Sequence, residues 1–99
     1  ANQLQQNGPV KEIQGIEPLA EKWRSFGWHA IEIDGHDLAQ VVRAYDEAKT
    51  VRGKPQAIVA RTVKGKGVSF MELNHAWHGV APNPDELKKA LDQLHTVTA

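Results

Sequence analysis

Ninety-nine residues with 40% hydrophobic side chains, twelve Lys plus Arg against twelve Asp plus Glu, and no Cys describe one small globular unit, expected to bury about 60 to 70% of the surface exposed by its unfolded form. The formal net charge of zero excludes the basic footprint of a nucleic-acid binder, and the lack of Cys excludes a disulfide framework, a thiolate zinc site and a cysteine nucleophile. No apolar run approaches the ~18 residues of a membrane span, and the polar opening Ala1 to Gly8 is no signal peptide, so the expected setting is cytoplasmic, with neither membrane nor nucleic acid as partner.

Ile16, Leu19, Ala20, Trp23 and Phe26 fall at i, i+3, i+4, i+7 and i+10 and predict a helix with one apolar stripe, Pro18 in its first turn and Gly27 at its end. Trp28 to Asp34 alternates and predicts a strand, with Trp28, Ala30 and Glu32 on one side and His29, Ile31 and Ile33 on the other. Asp37 followed three places later by Gln40 is a capping box that starts a second helix, whose stripe is Leu38, Val41, Val42, Tyr45 and Ala48 and which ends near Gly53. A second strand is expected at Gln56 to Val63. Its run Ala57-Ile58-Val59-Ala60 suits burial on both faces of a parallel sheet. Asn83-Pro84-Asp85-Glu86 places an Asn cap, Pro at the first helical position and acids in the first turn, and Leu87, Ala90, Leu91, Leu94 and Val97 complete a third amphipathic helix.

The alternation is that of an α/β fold, with two parallel strands joined through a helix. Two strands with both edges open make an incomplete sheet. The expectation is therefore the C-terminal part of a larger parallel sheet with helices on both faces.

Residues 64–83 form a stretch of about twenty without a periodic element, and loops longer than ~12 to 15 residues in compact domains are functional or disordered. This one carries Trp, Phe, Met and His, and follows the C-terminal end of a parallel strand, where open α/β sheets place their ligands. Lys64-Gly65-Lys66-Gly67 offers backbone N–H groups and two ammonium groups, a chemistry that suits phosphate oxygens; a flexible basic turn is the alternative. His75 and His78, three apart around Trp77, are candidates for hydrogen bonding or proton transfer, or else ordinary loop histidines. Asp34-Gly35-His36-Asp37 reads as structural, a cap and a turn. Glu32 within a strand demands a partner or an edge. Trp23, Trp28 and Phe26 read as core and interface aromatics.

The order of motifs resembles the end of the thiamine-diphosphate-binding (PP) domain of transketolase. The stretches that carry the resemblance are Asn2-Gln3-Leu4-Gln5 with Gly8-Pro9-Val10; Trp23-Arg24-Ser25-Phe26-Gly27-Trp28; Glu32-Ile33-Asp34-Gly35-His36-Asp37; Gly53-Lys54-Pro55; the run from Thr62 to Glu72; and Trp77-His78-Gly79-Val80-Ala81-Pro82. The similarity is greatest to the short type, in which this domain and the pyrimidine-binding domain are separate polypeptides.

The resemblance implies an incomplete PP-type domain over residues 1–99, with the end of the metal and diphosphate loop at 1–10, an active-site loop at 64–83 and a closing helix at 84–97. It implies thiamine diphosphate and Mg²⁺ as cofactors. Asn2 matches the Asn that closes the family's GDG-to-Asn motif, and Leu4 matches the residue whose carbonyl joins it on the metal; the GDG itself does not occur in this sequence. His78 matches the family's His beside the diphosphate and the donor substrate, which makes it the expected catalytic histidine, and His75 has no such counterpart. Lys64 matches a position that approaches the cofactor. The implied activity is transfer of a two-carbon ketol unit between sugar phosphates, with the segment inactive alone. The implied partner is a pyrimidine-binding domain or subunit within a dimer or heterotetramer. Deoxyxylulose phosphate synthase is a related alternative, and a stand-alone phosphate-binding or assembly module is an alternative of another class.

Overall fold

The computed structural model describes residues 1–13 and 15–97. In chain order its elements are β1 (Leu4–Gln5), β2 (Gly8–Pro9), α1 (Val10–Ile13), α2 (Leu19–Ser25), β3 (His29–Asp34), α3 (Leu38–Thr50), β4 (Gln56–Arg61), a 3-10 turn (His75–Trp77) and α4 (Pro84–Val97). Length alone leads one to expect a single body, yet the chain divides into two compact units. One is Ala1 with Gln14–Thr62, and the other is Asn2–Ile13 with Val63–Ala99.

The first unit is the predicted α/β alternation. β3 and β4 pair in parallel, from His29↔Gln56 through Asp34↔Arg61, with α3 as the connection. Ala20 of α2 meets Ala30 and Val59 in a small core, against which Leu19 and Trp23 pack. The Trp23 and Trp28 rings lie 4.6 Å apart. Phe26, expected among these aromatics, stands 83% exposed. α2 begins later than its stripe suggests, because Pro18 is extended and takes the cap position; Ile16 lies before the helix. Val59 is buried, while its β4 neighbours are only half-buried, so the continuous apolar run is not closed off on both faces within the described residues.

α3 starts where the capping box requires. The Asp37 carboxylate accepts the Ala39 and Gln40 amides at 3.0 and 3.3 Å. The return bond differs from the standard box, since the Gln40 side-chain oxygen accepts the Asp34 amide at 2.9 Å and its NH₂ donates to Asp37. These bonds, from Gln40 first, hold the Asp37 carboxyl below its usual value. The expected apolar stripe of α3 is not its buried face: Ala44 is buried, whereas Leu38, Val42 and Tyr45 are exposed. Val41 and Ala48 of the stripe are half-buried, so the covered face is narrower than the stripe and centres on the small Ala44; the Gln56 amide donates to the Ala48 and Val51 carbonyls at 2.5 and 3.3 Å, which ties the end of α3 to β4.

Glu32 finds its partner on the neighbouring strand. Arg61 reaches Glu32 at 2.8 and 2.5 Å and Glu17 at 2.6 and 3.2 Å, so one guanidinium bridges two carboxylates. The Arg61 bonds lower the Glu17 pKa and raise that of Arg61 itself. At the outer side of β4, the Ala1 ammonium donates to the Ala60 carbonyl at 2.7 Å, and the Thr62 amide donates to the Ala1 carbonyl at 3.2 Å.

The second unit holds an element that periodicity did not announce. Residues expected to be loop form a hairpin, with Leu4↔Pro9 and Gln5↔Gly8 paired antiparallel, followed by the single turn α1. Two-residue strands are too short to show alternation. α4 is capped reciprocally: the Asn83 side chain accepts the Glu86 amide at 2.8 Å and the Glu86 carboxylate accepts the Asn83 amide at 2.9 Å. Among the described residues, no helix is long and apolar enough to cross a membrane.

A candidate diphosphate cleft

The long loop of the second unit is a built structure, held by polar side chains and backbone turns rather than by periodic packing. Its neck closes where the Leu73 amide donates to the Lys64 carbonyl at 3.0 Å and the Gly67 amide donates to the Glu72 carboxylate at 2.9 Å. Gly65 is required inside this neck. It has φ +74, and a Cβ there would sit 2.6 Å from the Met71 carbonyl carbon and oxygen. The loop is fastened to α4 at two points: the Ser69 amide donates to the Gln93 oxygen at 2.7 Å, and the Gln93 NH₂ donates to the Ser69 hydroxyl at 2.9 Å. Val68 is buried beside them.

The 3-10 turn that follows is fixed in the same manner. The Asn74 side chain accepts the Ala76 amide at 3.0 Å. The Trp77 indole N–H donates to the Phe70 carbonyl at 3.1 Å, with the two rings tilted at 5.7 Å. The His78 amide donates to the His75 carbonyl at 3.0 Å. Both histidine side chains are exposed.

Asn2, Leu4, Gln5, Lys64, His75 and His78 line one small, half-open cleft. Four of these residues, Asn2, Leu4, Lys64 and His78, are the ones singled out by sequence, and they meet although some sixty residues separate the hairpin from the loop. The other two are Gln5, which the sequence does not single out, and His75, which it offers as a candidate beside His78 but for which the resemblance has no counterpart. Lys66, the other basic residue of the Lys-Gly-Lys-Gly segment, is exposed and does not line the cleft. Asp34, Gly35, His36 and Asp37 serve as turn and cap in the first unit, as the structural reading expected: the Asp34 carboxylate accepts the His36 amide at 2.9 Å, and a Cβ on Gly35 would fall 2.6 Å from the Thr62 methyl.

Two strained backbone positions neighbour residues of the cleft. Among the described residues, the non-glycine positions with positive φ are Gln3 (64°) and Leu73 (52°). Gln3 lies between Asn2 and Leu4, and Leu73 supplies the amide that closes the loop on Lys64. Such positions cost on the order of 1 to 3 kcal/mol each and cluster at functional sites.

The donor set defines what fits. None of the six lining residues is acidic; an ammonium, two imidazoles and two carboxamides offer hydrogen-bond donors to an anion. Among the described residues no group of three or more His, Cys, Asp or Glu is placed to hold a metal. The Asn2 carboxamide oxygen accepts the Leu4 amide at 3.0 Å, which leaves its second lone pair available. This set fits a cation whose shell is completed by phosphate oxygens and water, as Mg²⁺ prefers, and does not fit one caged by the protein alone.

Comparison with known proteins settles the family. The family model described as "Transketolase, thiamine diphosphate binding domain" matches residues 1–96. The chain belongs to that family. Over 93 residues, 94% of its length, it is 43% identical to a 6-deoxy-6-sulfo-D-fructose transketolase subunit of Clostridium sp. (strain MSTE9), covering 34% of that protein. It is 38% identical over 93 residues, 94% of its length, to transketolase-like protein 2 of Homo sapiens, covering 15% of it. The transketolase of Campylobacter jejuni superposes with a TM-score of 0.83 at 29% identity, over 94% of this chain and 14% of that one. The chain thus spans about a third of the length of the short relatives and a smaller part of the long ones.

Proposed function

We propose that this chain is part of a transketolase-like transferase that moves a two-carbon ketol unit between sugar phosphates with thiamine diphosphate, and that the cleft receives the cofactor's Mg²⁺-diphosphate. The observation that carries this reading is the convergence of Asn2, Leu4, Lys64 and His78 in one cleft without an acidic lining residue, in a chain whose family model is a thiamine-diphosphate-binding domain.

Each residue has a role that its chemistry supports. Asn2 through its carboxamide oxygen and Leu4 through its carbonyl offer neutral oxygens to Mg²⁺. Lys64 offers a point charge to the diphosphate. His78, on an exposed stretch beside Lys64, can donate from one ring nitrogen and accept at the other, which suits it to hold or move a proton at a substrate hydroxyl. Bound there, the cofactor supplies the carbon chemistry that breaks and makes the C–C bond, while the protein orients it and balances its charge. This reading requires a pyrimidine-binding domain or a separate partner polypeptide that carries one. Similar proteins that are themselves named as single subunits of a transketolase support it, among them the apulose-4-phosphate transketolase subunit of Phocaeicola vulgatus, 30% identical over 93 residues.

The test is calorimetric titration of thiamine diphosphate into the intact enzyme at limiting Mg²⁺. Asn2→Ala is expected to weaken binding by roughly 1 to 3 kcal/mol, the scale of a lost charge-assisted contact. Unchanged affinity would remove Asn2 from the metal site.

A further inference from the structure

In a 3-10 turn, with three residues per turn, side chains at i and i+3 stand one above the other. His75 opens such a turn and His78 caps it, with the His78 amide bonded to the His75 carbonyl. Asn74 fixes one end of the turn and the Trp77 indole fixes the other against the Phe70 carbonyl. The turn is therefore built to present two imidazoles together, and both line the cleft with Lys64. A diphosphate carries several negative charges and many acceptor oxygens, more than one ammonium and one imidazole satisfy, and the cleft provides the second imidazole with no acidic lining residue to bind instead.

We propose that His75 is a second imidazole contact to the cofactor's diphosphate. The inference rests on the cleft being the diphosphate site, and it gives His75 the binding role while His78 acts at the substrate. The division of labour follows from position: the first residue of the turn and its C-cap line the same cleft and reach neighbouring positions along an extended ligand.

Two probes applied to the intact enzyme with excess Mg²⁺ test this. Thiamine diphosphate reads the whole cofactor site, and inorganic pyrophosphate, which lacks the aminopyrimidine, reads the diphosphate contacts alone. His75→Ala is expected to raise the Kd of both by the same factor, about five- to tenfold, the scale of one hydrogen bond to a charged group. Its fall in kcat at saturating cofactor should be smaller than that of His78→Ala. His75→Gln, which keeps a side-chain N–H, should recover part of the affinity, and no recovery would show that His75 acts through structure rather than contact. If His75→Ala leaves both Kd values unchanged while Lys64→Ala weakens both, the assignment to His75 is overturned. If Lys64→Ala also changes neither, the cleft is not the diphosphate site and the functional reading falls with it.

Discussion

The two units of the chain reach their structures by different physical routes. The strand-helix-strand unit follows from local signals: alternation in β3, an apolar run in β4 and the Asp37 cap that starts the helix between them. Its cohesion is a small apolar core of Ala20, Ala30 and Val59. The unit with the cleft has little periodicity outside α4 and is held by side chains bonded to backbone: Asn2 to Leu4, Asn74 to Ala76, Trp77 to Phe70, Gln93 to Ser69. One region is held by a few small apolar side chains packed together. The other is shaped because particular amides and carboxylates close particular turns, and that is the region that carries the candidate cleft.

The contrast can be broken by substitutions that should move function and stability separately. The largest effect is expected for His78→Ala, a loss in turnover of about 10² to 10⁴-fold as for other general acid/base residues, with thermal stability unaltered because the side chain is exposed; steady-state kinetics and a melting curve read the two quantities. Gly65→Ala should do the reverse first. Its Cβ would meet the Met71 backbone in a left-handed conformation, which should cost more than about 1 kcal/mol of stability and, by opening the neck, weaken cofactor binding; denaturant melts and titration check both. Asn83→Ala removes the α4 cap and should cost about 1 kcal/mol, read as a shift in denaturation midpoint with cofactor affinity little changed.

The smallest expected effect concerns the first unit and pH. Arg61 holds the Glu17 carboxyl below its ordinary value, so the contribution of this contact is present above the normal carboxylate range and is lost as pH falls through the lowered value. Both groups are solvent-accessible, so the contribution is small. Melting temperatures of the natural chain and Glu17→Gln should differ slightly at neutral pH and converge once the pH has fallen below the lowered Glu17 value. A difference that persists in acid would assign Glu17 a role other than ion pairing.

What the sequence made legible follows the same division. β3, α3, β4 and α4 were readable because caps and repeats are local signals: Asp37 with Gln40, and Asn83 with Pro84. The face of α3 was not. Leu38, Val42 and Tyr45 have the spacing of a buried stripe and are nevertheless exposed, since spacing defines a face but not what lies against it. The partner of Glu32 was invisible because Arg61 sits 29 positions away in sequence and becomes its neighbour only through strand register. Lys64, His75 and His78 stand out by their chemistry in a long loop, whereas Asn2 and Leu4 are named only through the resemblance; that all five line one cleft is not legible from periodicity, because the hairpin that carries Asn2 and Leu4 is far from the loop in sequence.

The way the long loop is fastened has a consequence for engineering. Trp77 holds the Phe70 carbonyl through its indole N–H and packs on the Phe70 ring, and the neck at Lys64 and Leu73 is a bond between two main chains. The tip from Lys66 to Met71 therefore behaves in part as a cassette: apart from Gly67, the buried Val68, the Ser69 hydroxyl and the Phe70 ring, its side chains can be exchanged while the anchors that present Lys64 and the two histidines stay in register. Libraries can diversify Lys66 and Met71 without dismantling the cleft, whereas the same diversity placed at Gly65, Phe70, Asn74 or Trp77 would be spent on chains that no longer hold its shape.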